Sequence, residues 1–299
     1  MANRDTFSGY HPIVNFAYFV LVIAFSTLFT NPVCLFSSLV CAFTYSVYLN
    51  GGKALRFNLL YLLPMLIFAA LLNPAFNHQG ATILTYLPSG NPLTLESIAY
   101  GAAAAAILVT VVLWFSCFNE VITSDKIVYL FGRVIPALSL VLSMSLRFVP
   151  RFRAQLKVIS NAQRCVGRDA SNGNILRRAR HGIRILSIMV TWALENAIET
   201  ADSMKSRGYG LPGRTAFSIY RFDKRDALAL AYILLCGAAI IIGSAAGAFY
   251  FRYFPTIKGA ELLSPPRIAM QLVYFALGAT PVILNVKEDR KWKAIASKG

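Results

Sequence analysis

Glu195, Glu199 and Asp202 stand at i, i+4 and i+7, a spacing that puts three carboxylates on one face of a helix. Carboxylates gathered in this way at a membrane surface can hold Mg²⁺ and the diphosphate of a lipid or prenyl substrate. The plainer reading is that they neutralise the arginines around them. It is favoured, because there is one acidic cluster where such chemistry uses two, and none of the three opens an Asp-x-x-x-Asp pattern. No Gly-x-x-x-x-Gly-Lys-Ser/Thr loop occurs, so the chain does not cradle ATP in the usual way. His11, His78 and His181 lack ligand-spaced partners and read as structural, and the Ser, His and Asp residues form no recognisable nucleophilic set. No catalytic residue, metal site or bound cofactor is expected of this chain beyond that one weak alternative.

The cations carry more information. Arg164 precedes Gly167 by three residues, Lys205 precedes Gly208 by three, and Arg207 sits immediately before its glycine. A cation in the last turn of a helix complements the helix dipole, so a bland cap explains each one singly. Two such helix ends in one basic block also suit two acidic pockets on a paired partner, since the guanidinium offers a planar fork to carboxylates.

The elements that must hold these residues are mostly apolar. Of the 299 residues, 57% are hydrophobic and 14% charged, with a mean hydropathy of +0.57, far from a soluble domain. The formal net charge of +16 is uneven: 16 of the 29 Lys and Arg lie between Arg147 and Asp226, against six acidic residues there. Beside membrane spans such a block marks the cytoplasmic side rather than a nucleic-acid surface. The five cysteines show no metal or disulfide spacing.

Six apolar runs, Ile13 to Phe29, Val33 to Leu49, Phe57 to Leu72, Ile98 to Phe118, Ala227 to Tyr250 and Ile268 to Leu284, approach the length that crosses a hydrocarbon core of roughly 30 Å as helix. The third is short, carries Pro64, and is expected to be tilted, kinked or partly re-entrant. None contains Asp, Glu, Lys or Arg, which disfavours ion-coupled transport by the chain alone. Charge placement predicts an all-α integral protein of the cell membrane with about six spans and both termini cytoplasmic. Residues 1–118 form a membrane bundle of four spans, 119–226 a cytoplasmic region, and 227–299 two further spans and a tail. Within the middle region one helix is expected over Ala154 to Val166, a polar turn over Asp169 to Asn174, and a second helix from about Ile183 to Ser206. Gly208, Gly210, Pro212 and Gly213 would stop that second helix.

Four motifs now gain a common meaning: His11-Pro12 before the first span, Ser145-Leu-Arg-Phe-Val-Pro150, Ala162-Gln163 approaching Gly167, and above all Ala201-Asp-Ser-Met-Lys-Ser-Arg-Gly-Tyr-Gly210. With them most of the chain resembles the transmembrane (T) component of energy-coupling-factor importers of vitamins and metals, the family that includes the cobalt-transport permease subunit. The resemblance implies two cytoplasmic coupling helices between spans four and five, each ending in a short Arg-centred motif that inserts into a groove on one of two ATP-binding-cassette subunits. It implies that ATP and Mg²⁺ sit on those partners, and that a separate small membrane subunit binds the transported substrate. Ser206-Arg207-Gly208 matches the second motif. The first departs, with Val166 where an arginine is expected before Gly167 and with Arg164 and Arg168 on either side. The apolar positions Ile185, Ile188, Met189, Trp192 and Leu194 are too many for a solvated helix, and are expected to hold the substrate-binding subunit or to pack on the chain's own spans.

Overall fold

The computed structural model describes residues 5–86, 92–168, 174–209, 211, 220–259 and 264–296. The chain divides into two units. One comprises residues 1–123 and 220–299, the other residues 124–219.

The first unit holds six apolar helical segments. α1 (Pro12–Leu28) and α2 (Pro32–Phe57) open alike: a proline takes the first helical position, where its missing N–H costs nothing, and the preceding side chain caps the turn. His11 Nδ1 accepts from the Ile13 N–H at 3.3 Å, and Asn31 Oδ1 from the Val33 N–H at 3.0 Å. The His-Pro pair is thus a helix start, and the His11 N–H in turn donates to Asp226 Oδ1 at 3.0 Å. That bond ties the start of α1 to the first turn of α8 (Lys224–Ala245).

The apolar run Pro32–Phe76 would be 45 residues long as one helix, more than twice a membrane crossing. It is broken. Gly51 adopts φ +57°, ψ −137°, a conformation open to glycine, and a π turn follows at Asn58–Leu62 before α3 (Leu63–Phe76). Pro64 stands in the first turn of α3, where it is tolerated, and Pro74 lies inside its last turns. α4 (Leu95–Val121), α8 and the segment Pro265–Lys291 of α9 (Pro265–Ala296) are each long and apolar enough to span, and α1 is an apolar helix of 17 residues.

The expected spans differ from these helices chiefly at their ends. α8 stops at Ala245 rather than running to Tyr250, because Gly247 turns left-handed at φ +75° and closes the helix with Gly247 N–H donating to Ser244 O and Ala248 N–H to Gly243 O. α9 continues past Leu284 through the basic stretch. The polar loops also contain strand: β1 (Ile83–Tyr86) pairs antiparallel with β2 (Pro92–Thr94), and β3 (Phe251–Arg252) with β4 (Lys258–Gly259). The two ribbons are short, and the membrane class is all-α. They meet where the Ala81 N–H donates to Pro255 O at 3.1 Å.

The core of this unit is aromatic and carries a small buried polar chain. Trp114 of α4, Tyr18 and Phe19 of α1 and Tyr45 of α2 are fully buried. Trp114 Nε1 donates to Ser38 Oγ at 3.0 Å, Ser38 shares a 2.7 Å hydrogen bond with Ser26, and the Tyr18 hydroxyl donates to Gly278 O at 3.0 Å. In lipid, where apolar contact alone discriminates poorly between helices, such bonds set which helix faces which. Trp114→Phe should lower stability by about 1–3 kcal/mol, mainly through lost packing, since hydrogen bonds between membrane helices average below 1 kcal/mol. Thermal unfolding in detergent reads this, with Ser38→Ala expected to have the smaller effect.

The second unit contains α5 (Ser124–Val134), α6 (Pro136–Cys165) and α7 (Ile175–Ser206). Both long helices start earlier than expected. α6 runs straight through Pro150 and takes in the apolar stretch and the basic residues from Arg147, in place of a helix confined to Ala154 to Val166. α7 begins at Ile175, where Asn174 Oδ1 accepts from the Ile175 N–H, so Arg177, Arg178 and Arg180 are helical. Long basic side chains are good helix formers and outweigh the cost of the single Gly182 inside the helix. Residues 169–173 of the expected polar turn lie outside the described residues, as do Gly210, Pro212 and Gly213.

Candidate functional site

α6 and α7 end in the same way, residue for residue. At the end of α6, Gly167 N–H donates to Arg164 O at 3.0 Å and Arg168 N–H to Gln163 O at 2.9 Å. At the end of α7, Gly208 N–H donates to Lys205 O at 2.9 Å and Tyr209 N–H to Met204 O at 3.0 Å. This pair of bonds is the Schellman motif, which satisfies the last carbonyls of a helix and needs a left-handed residue after the cap. Gly167 (φ +74°) and Gly208 (φ +75°) supply it. The cap residues are nearly superimposable in backbone, Val166 at φ −89°, ψ 11° and Arg207 at φ −83°, ψ 9°.

The motif assigns each flanking residue a place. Arg207 is the cap residue of α7, and Val166 is its counterpart on α6. Arg164 corresponds to Lys205, two residues back and therefore about 200° around the helix. Arg168 corresponds to Tyr209, beyond the glycine. Neither arginine occupies the position from which Arg207 projects. Ser206, Arg207, Arg164, Val166, Gly167 and Arg168 are exposed and Gly208 is partly so. Arg207 makes no ion pair or side-chain hydrogen bond among the described residues.

The two helices touch well back from their ends. Trp192 of α7 meets the ring of Phe152 of α6 edge-on at 5.5 Å between centroids, and the Arg151 guanidinium lies 5.7 Å from the Trp192 ring centre. From this contact Val166 lies 14 residues further along α6 and Arg207 lies 15 further along α7, so each end stands on an arm of about 21–23 Å. The two ends thus stand at similar distances from the contact between the helices.

The apolar residues of α7 fall on two faces. Of the five expected docking positions, Ile185 is only 6% exposed, and it shares a face with Met189 and Trp192, both half-buried, and Ile188 at the margin. Leu194, at 62%, lies on the opposite side. There it joins Ile183, Leu186, Val190 and Ile198, all exposed, within about 120° of the helix circumference. Their spacing of 3, 4, 4 and 4 is the helical signal in the sequence that marks this second face. Glu195, Glu199 and Asp202 are exposed on the same helix, and no group of three His, Cys, Asp or Glu that would hold a metal occurs among the described residues.

A family model described as cobalt transport protein (CbiQ) matches residues 9–217. The chain belongs to this family. It is therefore a membrane component of transport and not an enzyme. The match runs from the capped start of α1 through both ends just described, the stretch that holds all four motifs. Among individual relatives of this cobalt transport family member, the energy-coupling factor transporter transmembrane protein EcfT of Lactobacillus helveticus is 38% identical over 106 residues, 35% of this chain and 38% of that protein. That of Lactococcus lactis subsp. cremoris is 35% identical over 108 residues, 36% of this chain and 41% of that protein. The EcfT of Streptococcus equi subsp. equi is 25% identical over 237 residues, covering 74% of this chain and 84% of that protein. The first two alignments thus span about two-fifths of the relatives they match.

Proposed function

We propose that this chain is the transmembrane scaffold of an ATP-driven importer of the energy-coupling-factor type, taking up a vitamin or metal ion across the cell membrane. In this reading α6 and α7 lie on the cytoplasmic side with both chain termini, and the ends of the two helices seat in grooves of two ABC ATPase subunits. ATP and Mg²⁺ belong to those partners. A separate small membrane subunit carries the substrate, held on the apolar stripe Ile183, Leu186, Val190, Leu194 and Ile198 rather than on Ile185 and Trp192, which are engaged within the unit.

One observation carries the proposal: two exposed helix ends of identical backbone geometry, one tipped by a guanidinium without a partner among the described residues. The same closure ends α8 at Gly247, so the cap itself is ordinary, and what supports docking is the exposure of both ends within the basic unit together with the guanidinium of Arg207. ATP binding that moves the two ATPases together would displace both arms, and the Phe152–Trp192 contact would carry that motion to the apolar stripe. The test is affinity purification of the tagged chain from native membranes in mild detergent. Two ATP-binding-cassette proteins and a small hydrophobic subunit should accompany it, and recovery of the folded chain by itself would refute the scaffold role. Glu199→Gln should leave ATP-driven uptake within about fivefold, since a single exposed carboxylate contributes on the order of 1 kcal/mol or less. A loss of more than tenfold at unchanged protein level would mean that the acidic face does more than balance charge.

A further inference from the structure

We infer that Asp226, bonded to the backbone of His11, is the positioning residue that passes displacement of the second unit along the chain into the membrane unit. The inference rests on the docking reading above, in which the ATPases move α6 and α7, and adds the residues that take that movement up.

The second unit ends at residue 219, so residues 220–226 are the stretch by which the chain re-enters the membrane unit. Residues 220–223 are not helical, and α8 begins at Lys224. A non-helical tether transmits displacement only where it is made fast, and Asp226 is the fastening. One of its carboxylate oxygens accepts from the His11 N–H at 3.0 Å and the other from the Asp223 N–H at 3.1 Å. A single side chain thus joins the tether, the first turn of α8 and the entry to α1. Asp226 is buried and makes no ion pair among the described residues, so charge balance does not explain its place. Burying a carboxylate is costly unless its oxygens are bonded, and here the bonds go to the backbone of two different segments. The surrounding side chains hold the same joint. The His11 ring meets Phe222 edge-on at 5.2 Å between centroids and Tyr220 at 6.4 Å, and the Arg225 guanidinium lies 4.1 Å from the centre of the Tyr10 ring.

From His11 the path runs back along residues 5–11. Phe7 is fully buried and edge-on to Tyr18 and Phe19 of α1 and Tyr45 of α2. The buried Asn285 of α9 accepts from the Thr6 N–H at 2.8 Å, and the Tyr45 hydroxyl donates to Asp5 Oδ2 at 3.0 Å. Displacement of the tether therefore reaches α1, α2, α8 and α9 through one carboxylate. At the other join, after α4, the buried residues are Val121 and Ile122, whose apolar contacts have no preferred direction, whereas a hydrogen bond does.

The experiment is hydrogen–deuterium exchange, read by mass spectrometry, on the complex purified from native membranes with and without ATP and Mg²⁺. In the unaltered complex ATP should change exchange at the ends of α6 and α7 and at residues 5–11, each by about threefold or more. Asp226→Ala should keep the first change and lose most of the second. Asp226→Asn turns an N–H towards one of the two backbone donors and should fall between, and it replaces the alanine variant if that chain gives no single symmetric peak on size exclusion. Gly101→Ala, which crowds α4 against the Ala70 carbonyl of α3, should keep both changes, since it lowers stability without touching the joint. Loss of the response at residues 5–11 in Gly101→Ala as well would reduce Asp226 to a stability residue and overturn the inference. If α6 and α7 respond to ATP while residues 5–11 do not respond, or respond equally in Asp226→Ala, the joint is refuted and the docking reading stands. If α6 and α7 do not respond in the unaltered complex, the docking reading fails and the inference with it.

Discussion

Arg207→Glu should strip the ATPases from the purified complex and abolish ATP-driven uptake while the chain itself remains folded in the membrane. The residue caps α7 and is exposed, so its replacement leaves no cavity. The local effect is a negative charge at the negative end of the helix dipole, worth about 0.3–1 kcal/mol, too little to unfold a 32-residue helix. At the interface the effect is larger. Leaving a desolvated charge pair without one member typically costs about 2–5 kcal/mol, and reversing the sign adds repulsion, so affinity should fall by about 100-fold or more. Arg207→Lys keeps the charge but loses the two-pronged geometry, and should give an intermediate loss. The measurement is ATPase recovered per tagged chain, with uptake assayed at matched membrane levels. Full recovery with the glutamate variant would remove Arg207 from the docking site.

Gly101→Ala should destabilise the membrane unit by about 1–3 kcal/mol, and Gly101→Leu should prevent its assembly. A Cβ at this position in α4 would stand 2.6 Å from the Ala70 carbonyl oxygen of α3, 3.0 Å from Asn73 Cβ and 3.1 Å from Pro74 Cδ. The first of these is backbone and cannot swing aside. Ala70 is the residue four before Pro74, so its carbonyl has lost the N–H that would otherwise bond to it inside the helix. Gly101 lets α4 close over that carbonyl and cover it from lipid, in keeping with the use of small residues where membrane helices approach closely. Gly182→Ala is the counterpart: Gly182 lies inside α7 with open space at its Cβ, and the change should stabilise by about 0.5–1 kcal/mol. Unfolding midpoints in detergent check both, and a Gly101→Ala chain melting with the unaltered one would show that α3 and α4 are further apart than the backbone places them.

Much of this protein was already legible in its residue order. Uncharged apolar runs of about 17 residues or more are helices in lipid, because a helix satisfies every backbone group within its own segment, and the all-α membrane class and the cation asymmetry between loops follow from the residue order. The second helix end was also legible, since Lys205, Arg207 and Gly208 combine a basic last turn with a helix-stopping glycine. The starts of α6 and α7 were not, because Pro150 and Gly182 are breakers whose local penalty a long amphipathic helix overrides once its face is packed.

What only the tertiary structure decided is which side of each helix is occupied. In sequence, helical spacing sets Ile185 and Trp192 on one face and Leu194 on the other without saying which face is covered. Contact with Phe152 and Arg151 takes Trp192 inward with Ile185, and leaves Leu194 outward with Ile183, Leu186, Val190 and Ile198. Nor could spacing say whether Arg164, Val166 or Arg168 stands in for Arg207. That depends on the backbone path around Gly167, where one left-handed residue reverses the chain and makes position relative to the cap, rather than residue type, determine which side chain reaches a partner.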